Sequence, residues 1–136
     1  MKFIIDTNII ISALIKFGKT REIIFEGFFD LITPAYTLTE IEKHREEICE
    51  KSGLSNQQID DIINLLFKYI NILNPKVYYD FLVKASKLVN DKKDIPFIVA
   101  AFSLNCPIWS DDKHFQKQKE IKIFTTKKML ELYYKK

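Results

Sequence analysis

Asp6 closes an apolar run, Phe3-Ile4-Ile5, and opens the tripeptide Asp6-Thr7-Asn8. A buried strand ending there would hand a carboxylate to solvent. Four further acidic side chains stand in comparable settings: Glu40 early in a helix-like stretch, Asp94 ahead of Ile95-Pro96, and the Asp111-Asp112 doublet after Pro107-Ile108-Trp109. Clustered carboxylates repel one another and are costly to bury without a cation, so their convergence points to a divalent metal site. Oxygen donors suit Mg²⁺ or Mn²⁺. Zinc would want softer ligands than this chain offers: two histidines, His44 and His114, and two isolated cysteines, Cys49 and Cys106, without a Cys-x-x-Cys spacing. The cysteines read as reduced structural residues.

Each carboxylate also has a role that needs no metal. Asp6 suits the N-cap of a helix beginning at Thr7 or Asn8. Thr37-x-x-Glu40 matches a capping box, and Glu42 and His44 are secondary candidates nearby. Asp94 suits the N-cap of a helix with Pro96 in its first turn, a position that also keeps a carboxylate charged. Asp91 reads as a solvated loop charge, and Ser110-Asp111-Asp112 as a turn. For the doublet, mutual repulsion favours a cation nearby.

The elements that would position these groups alternate along the chain. Residues 3–5 read as a buried strand, 20–28 as a helix bearing Ile23, Ile24 and Phe28, and 29–32 as a second strand ended by Thr33-Pro34. A helix begins at Thr37, carries Leu38, Ile41 and Ile48, and stops near Gly53. Ser55 and Gln58 form a capping-box signature ahead of Ile59, Ile62, Ile63, Leu66, Phe67 and Ile70 at helical spacing. After Asn74-Pro75 comes a helix with Phe81, Leu82, Ala85, Leu88 and Val89, then an almost wholly apolar one over 97–104. Residues 107–109 and 121–124 are two more strands, and 127–134 a closing helix. Short apolar strands separated by helices predict an α/β fold with a parallel sheet covered on both faces. Ligands of such sheets bind beyond the carboxyl ends of the strands, where Asp6 and Asp111-Asp112 stand.

The chain has 136 residues, 47% hydrophobic and 29% charged, which fits one domain over 1–136 and argues against disorder. Asp6 and Asn8 interrupt the apolar start, no small-residue cleavage site follows, and no run approaches the roughly 18 apolar residues of a membrane span. A cytoplasmic location without membrane attachment is the expectation. The net charge of +3, from 21 basic and 18 acidic residues, permits a polyanionic partner without requiring one. Lys16, Lys19, Arg21 and Lys113 are candidate contacts to such a backbone.

Taken together, Phe-Ile-Ile-Asp6-Thr7-Asn8, Thr-Pro-Ala-Tyr-Thr-Leu-Thr-Glu40, Asp94-Ile-Pro-Phe-Ile-Val-Ala-Ala and Ile-Trp-Ser110-Asp111-Asp112-Lys-His-Phe resemble the PIN-domain ribonucleases over essentially the whole chain. The resemblance implies a three-layer α/β/α fold and metal-dependent hydrolysis of RNA phosphodiester bonds. It also implies kinship with VapC-like toxins, and with it a cognate antitoxin as a partner; a homodimer is an option as the commonest form of soluble assembly. By position, Asp6, Glu40, Asp94 and Asp112 match the family's acidic residues, with Asn8 and Ser110 in support. Asp111 falls in a slot where the family tolerates other polar residues, so it stands as an added candidate ligand. Two rival readings remain: a PIN fold kept as a non-catalytic RNA- or protein-binding module, and an aspartyl-phosphate phosphatase with Asp6 as nucleophile. The phosphatase pattern wants a second Asp where Asn8 stands.

Overall fold

Side-chain alternation along short parallel strands divides the apolar residues between two faces of one sheet. Phe3, Ile5, Leu31 and Trp109 join one core, whereas Ile4, Ile32 and Ile108 join the other. The computed structural model describes residues 1–136, apart from the side chains of Val77 and Tyr78. Its strands are β1 (Lys2–Ile5), β2 (Asp30–Pro34), β3 (Ile70–Leu73), β4 (Ile108–Trp109) and β5 (Ile123–Phe124). They form a five-stranded sheet in the order β3-β2-β1-β4-β5, with every pairing parallel.

Helices cover both faces. On the Phe3 side lie α1 (Thr7–Ile15), α2 (Lys19–Glu26), α3 (Tyr36–Lys43), α4 (Arg45–Ser52), α5 (Asn56–Leu66) and the closing helix α8 (Thr126–Tyr134), contributing Ile10, Ile24, Ile41, Ile48, Ile59 and Met129. On the Ile4 side lie α6 (Leu82–Ser86) and α7 (Ile95–Leu104), contributing Ala85, Phe97, Ile98 and Ala101. This is the expected three-layer α/β/α, PIN-like arrangement. The chain passes from β1 to β2 on one side and arrives at β4 on the other, so strand order reverses between β1 and β4. Open α/β sheets place their ligand crevice at that reversal. No described helix is long and apolar enough to cross a membrane.

Local signals hold where they are chemically specific. Ser55 and Gln58 make the complete capping box at the start of α5, and Gly53, with φ of 72°, closes α4 in the left-handed conformation that glycine tolerates. Pro96 occupies the first turn of α7.

Four expectations need correction. Ile70 is not the last apolar position of α5, which ends at Leu66; it starts β3 and pairs with Leu31 of β2. Helical spacing and a short apolar run coincide there, and pairing with the sheet decides. The helix read from Thr37 to Gly53 breaks at His44 (φ −102°, ψ 9°) into α3 and α4, each still burying its isoleucine. The helix read after Pro75 is a 3-10 segment, Pro75–Phe81, followed by the short α6, with Leu88 and Val89 packed beyond it. Arg21 is not a free cation: it is buried, and its guanidinium donates to the carbonyls of Ala13 (2.7 Å) and Leu14 (3.3 Å). Those carbonyls belong to the last turn of α1, whose acceptors have no intrahelical donor.

Candidate metal centre

β1 delivers Asp6 to the crevice, where its side chain is 5% exposed. Although Asp6 occupies the N-cap position of α1, its side chain makes no cap hydrogen bond of ordinary geometry, and the Asn8 amide only lies near enough to favour its charge. Instead Oδ2 accepts from the hydroxyl of Ser110 at 2.7 Å, just beyond the end of neighbouring β4. The same Ser110 oxygen accepts from the Asp112 amide at 3.0 Å, fixing the loop that carries Asp112. Burial pushes the Asp6 carboxyl up to about 6; the Ser110 hydroxyl and the Asn8 amide oppose this, and the charges of Asp112 and Glu40 add to it. Asn8 itself lies exposed in the first turn of α1.

Glu40 reaches the crevice from α3. The anticipated Thr37–Glu40 capping box does not form, because Ala35 is the N-cap and Thr37 lies inside the helix. Thr37 belongs to a buried hydroxyl ladder: Thr33 donates to the Ile5 carbonyl at 3.0 Å and lies 2.6 Å from Thr37, which lies 3.1 Å from Thr7. Thr7 donates to Glu40 Oε1 at 2.6 Å. The ladder ties the ends of β1 and β2 to the carboxylate. Thr7 was not among the residues singled out from sequence, although it stands inside the Asp-Thr-Asn tripeptide.

Asp94 stands at the head of α7 with 9% exposure, and its side chain caps nothing. Its carboxyl is pushed up to about 6 by burial and by the charges of Asp91, Asp112 and Glu40, with His114 opposing. Asp91, Asp94 and His114 place their ligand atoms within 4.8 Å of one another, an arrangement able to hold a divalent ion. The sequence ranked Asp91 well below Asp94 and assigned no part to His114; only the fold of the 91–94 loop against the 112–114 turn brings them in. His114 Nδ1 lies 3.7 Å from Asp112 Oδ1.

Asp111 faces elsewhere. Its two oxygens accept from the amide and the hydroxyl of Thr126, each at 2.7 Å, at the start of α8. The doublet thus divides, one carboxylate bracing a helix start and the other turned toward the crevice. Among the described residues, no lysine or arginine forms an ion pair with Asp6, Glu40, Asp94 or Asp112. An oxygen-rich donor set with Asp6 and Asp94 buried, Glu40 and Asp112 half-buried and no lysine or arginine paired to them fits a hard divalent metal.

A family model described as the PIN domain matches residues 4–133. The chain belongs to the PIN-domain family. Among solved structures, this PIN domain is similar to a chain of VapBC2 from Rickettsia felis bound to a DNA fragment from their promoter, with a TM-score of 0.68 and 14% identity over 92% of this chain and 98% of that one. It is likewise similar to a chain of VapBC-1 from nontypeable Haemophilus influenzae, with a TM-score of 0.62 and 25% identity over the same shares. No curated protein matches the chain.

Proposed function

We propose that this PIN domain is a metal-dependent endoribonuclease that hydrolyses RNA phosphodiester bonds, and that it is the toxin of a toxin–antitoxin pair. The observation that carries the reading is that Asp6 and Asp94 are both buried and both feel the charges of Asp112 and Glu40, so that burial first, with those charges adding to it, raises each carboxyl to about 6, while Asp94 is drawn together with Asp91 and His114. Asp6 and Asp94 would hold Mg²⁺ or Mn²⁺ and Glu40 and Asp112 would complete the shell directly or through water, with Asp91 and His114, whose ligand atoms lie within 4.8 Å of that of Asp94, able to contribute on the Asp94 side. When bound, such an ion lowers the pKa of an attacking water and offsets the charge growing on the phosphate.

The chain's own residues prepare that site. Ser110 orients Asp6, Thr7 orients Glu40, and the Ser110–Asp112 contact sets the distance between the two loops. Asn8, exposed in the first turn of α1 two residues after Asp6, would orient a substrate oxygen. Asp111 is left to Thr126. No Ser, Cys or His nucleophile is required. The PIN-family resemblance adds 5′-phosphate and 3′-hydroxyl products, one nuclease unit over 1–136 and an antitoxin partner; the sequence pattern adds a cytoplasmic setting, and a homodimer is an option as the commonest soluble assembly. The likeness to chains of VapBC-1 and VapBC2 supports the toxin reading.

The test is cleavage of labelled single-stranded RNA with Mg²⁺, Mn²⁺ or EDTA, beside Asp6→Asn and Asp94→Asn. Metal-dependent cutting lost in both variants is the expected result. No cutting of any RNA offered together with no metal binding by calorimetry would favour the non-catalytic module.

A further inference from the structure

Beside the carboxylates lies a cavity of about 340 Å³. Pro34 and Leu73 from the ends of β2 and β3, Tyr36 from the start of α3, Pro96 and Val99 from α7, and Asn74 contribute to its wall. Two of these residues connect it to the candidate metal centre. Tyr36 precedes Glu40 by one helical turn, and burial first, with the charges of Glu40 and Asp91 adding to it, holds its phenol above the ordinary range. Pro96 follows Asp94 by two residues, in the first turn of the same helix.

The chemistry of the wall selects among the parts of a nucleic acid. A phosphate would meet apolar surface and the repulsion of Glu40 and Asp91, whereas a neutral, flat base would meet an aromatic ring and proline faces. The volume lies at the small end of ligand pockets, enough for one base and too little for a helix. Asn74 adds a directional contact. Its Oδ1 accepts the Lys76 amide at 3.0 Å, so its side-chain NH₂ is the group it offers, a donor suited to an acceptor edge of a base.

We propose that this cavity is a nucleobase subsite, taking one unpaired base of the RNA strand stacked on Tyr36 while an adjoining phosphate lies at the carboxylates. The assignment rests on the ribonuclease reading above and adds a determinant of where the strand is cut. Single-stranded RNA is read in this way, by splayed bases stacked on aromatic side chains.

The experiment places 2-aminopurine at successive positions of a short single-stranded RNA. Its emission is followed on binding to the full chain with Ca²⁺ as the probe cation, and anisotropy reports binding separately. One position should change emission on binding. Tyr36→Ala should abolish that change and weaken binding about tenfold, and Tyr36→Phe should retain both. Val99→Trp, which projects a large ring into the cavity and narrows it, gives the same loss should Tyr36→Ala fail to fold. RNA bound without an emission change at any position, or a change that survives both variants, overturns the subsite and leaves the cavity to an apolar side chain of a protein partner. RNA that does not bind at all removes the ribonuclease reading and the subsite together. Cleavage without the emission change removes the subsite alone.

Discussion

The hydroxyl of Ser110 donates to Oδ2 of Asp6 at 2.7 Å across 104 residues of sequence, joining the loop beyond β4 to the end of β1. It stands beside the backbone bond from the Asp6 amide to the Trp109 carbonyl, 3.0 Å, at the point where sheet order reverses. Since a carboxylate ligand held by a second hydrogen bond is fixed in direction, Ser110→Ala should lower divalent-metal affinity and RNA cleavage by about 10- to 100-fold. Ser110→Thr should restore most of both. Calorimetry with Mn²⁺ beside a cleavage assay reads the outcome, and an alanine variant with unaltered metal binding would refute the positioning role.

Thr7 holds Glu40 in the same manner from the opposite wall. Thr7→Val keeps the shape and removes the donor, which should cost about 1 kcal/mol of stability. Mn²⁺ affinity should fall about tenfold or more, with rescue by Thr7→Ser. Thermal denaturation with and without Mn²⁺ separates the two effects. Equal stabilisation of Thr7→Val and wild type by the metal would count against the role given to Glu40.

The raised carboxyls of Asp6 and Asp94 set a pH dependence. Both move from 3.8 to about 6. Between these values the native chain binds more protons than the unfolded one, so this contribution is present at low pH and is lost as pH rises through about 6. Each group accounts for at most about 1 to 3 kcal/mol. In EDTA, the Tm of wild type relative to the Asp6→Asn/Asp94→Asn double variant should fall from about pH 5 to about pH 7.5. Mn²⁺ should reverse the fall at the higher pH and act weakly at the lower. A gap independent of pH and metal would rule this out.

Asp111 and Asp112 should separate cleanly. Asp112→Asn should lose most metal-dependent cleavage, whereas Asp111→Asn should keep cleavage and lose about 1 kcal/mol of stability through its contacts to Thr126. Loss of metal binding in Asp111→Asn with no change in Tm would reverse the assignment.

Arg21→Met should destabilise the chain by about 2 kcal/mol, because the carbonyls of Ala13 and Leu14 lose a charged donor. RNA affinity and its salt dependence should be unaltered in the folded fraction. A shallower salt slope at unchanged stability would instead place Arg21 on the RNA backbone.

How much of this was legible varied with the range of the forces involved. The strand ending at Asp6, the capping box of Ser55 and Gln58, the stop at Gly53 and the proline start of α7 rest on neighbours a few residues apart, so composition and spacing reveal them. β3 was misread because Ile70 fits helical spacing as well as strand pairing, and only contact with β2 breaks the tie. Local pattern placed every carboxylate of the candidate site near a strand end or helix start, without saying which way each side chain faces.

The order of the sequence determined the parallel α/β architecture and the set of acidic residues from which a site could be built. The tertiary structure decided the rest. It freed Asp6 and Asp94 from capping, turned Asp111 to Thr126, placed Thr7 and the Thr33–Thr37 ladder behind Glu40, drew Asp91 and His114 to Asp94, and enclosed Arg21 against α1. Those outcomes depend on burial and on partners from strands and loops far apart in the chain. A carboxylate's role follows from which donor or charge stands opposite it, and that is settled only when the two loops at the β1–β4 reversal close on each other.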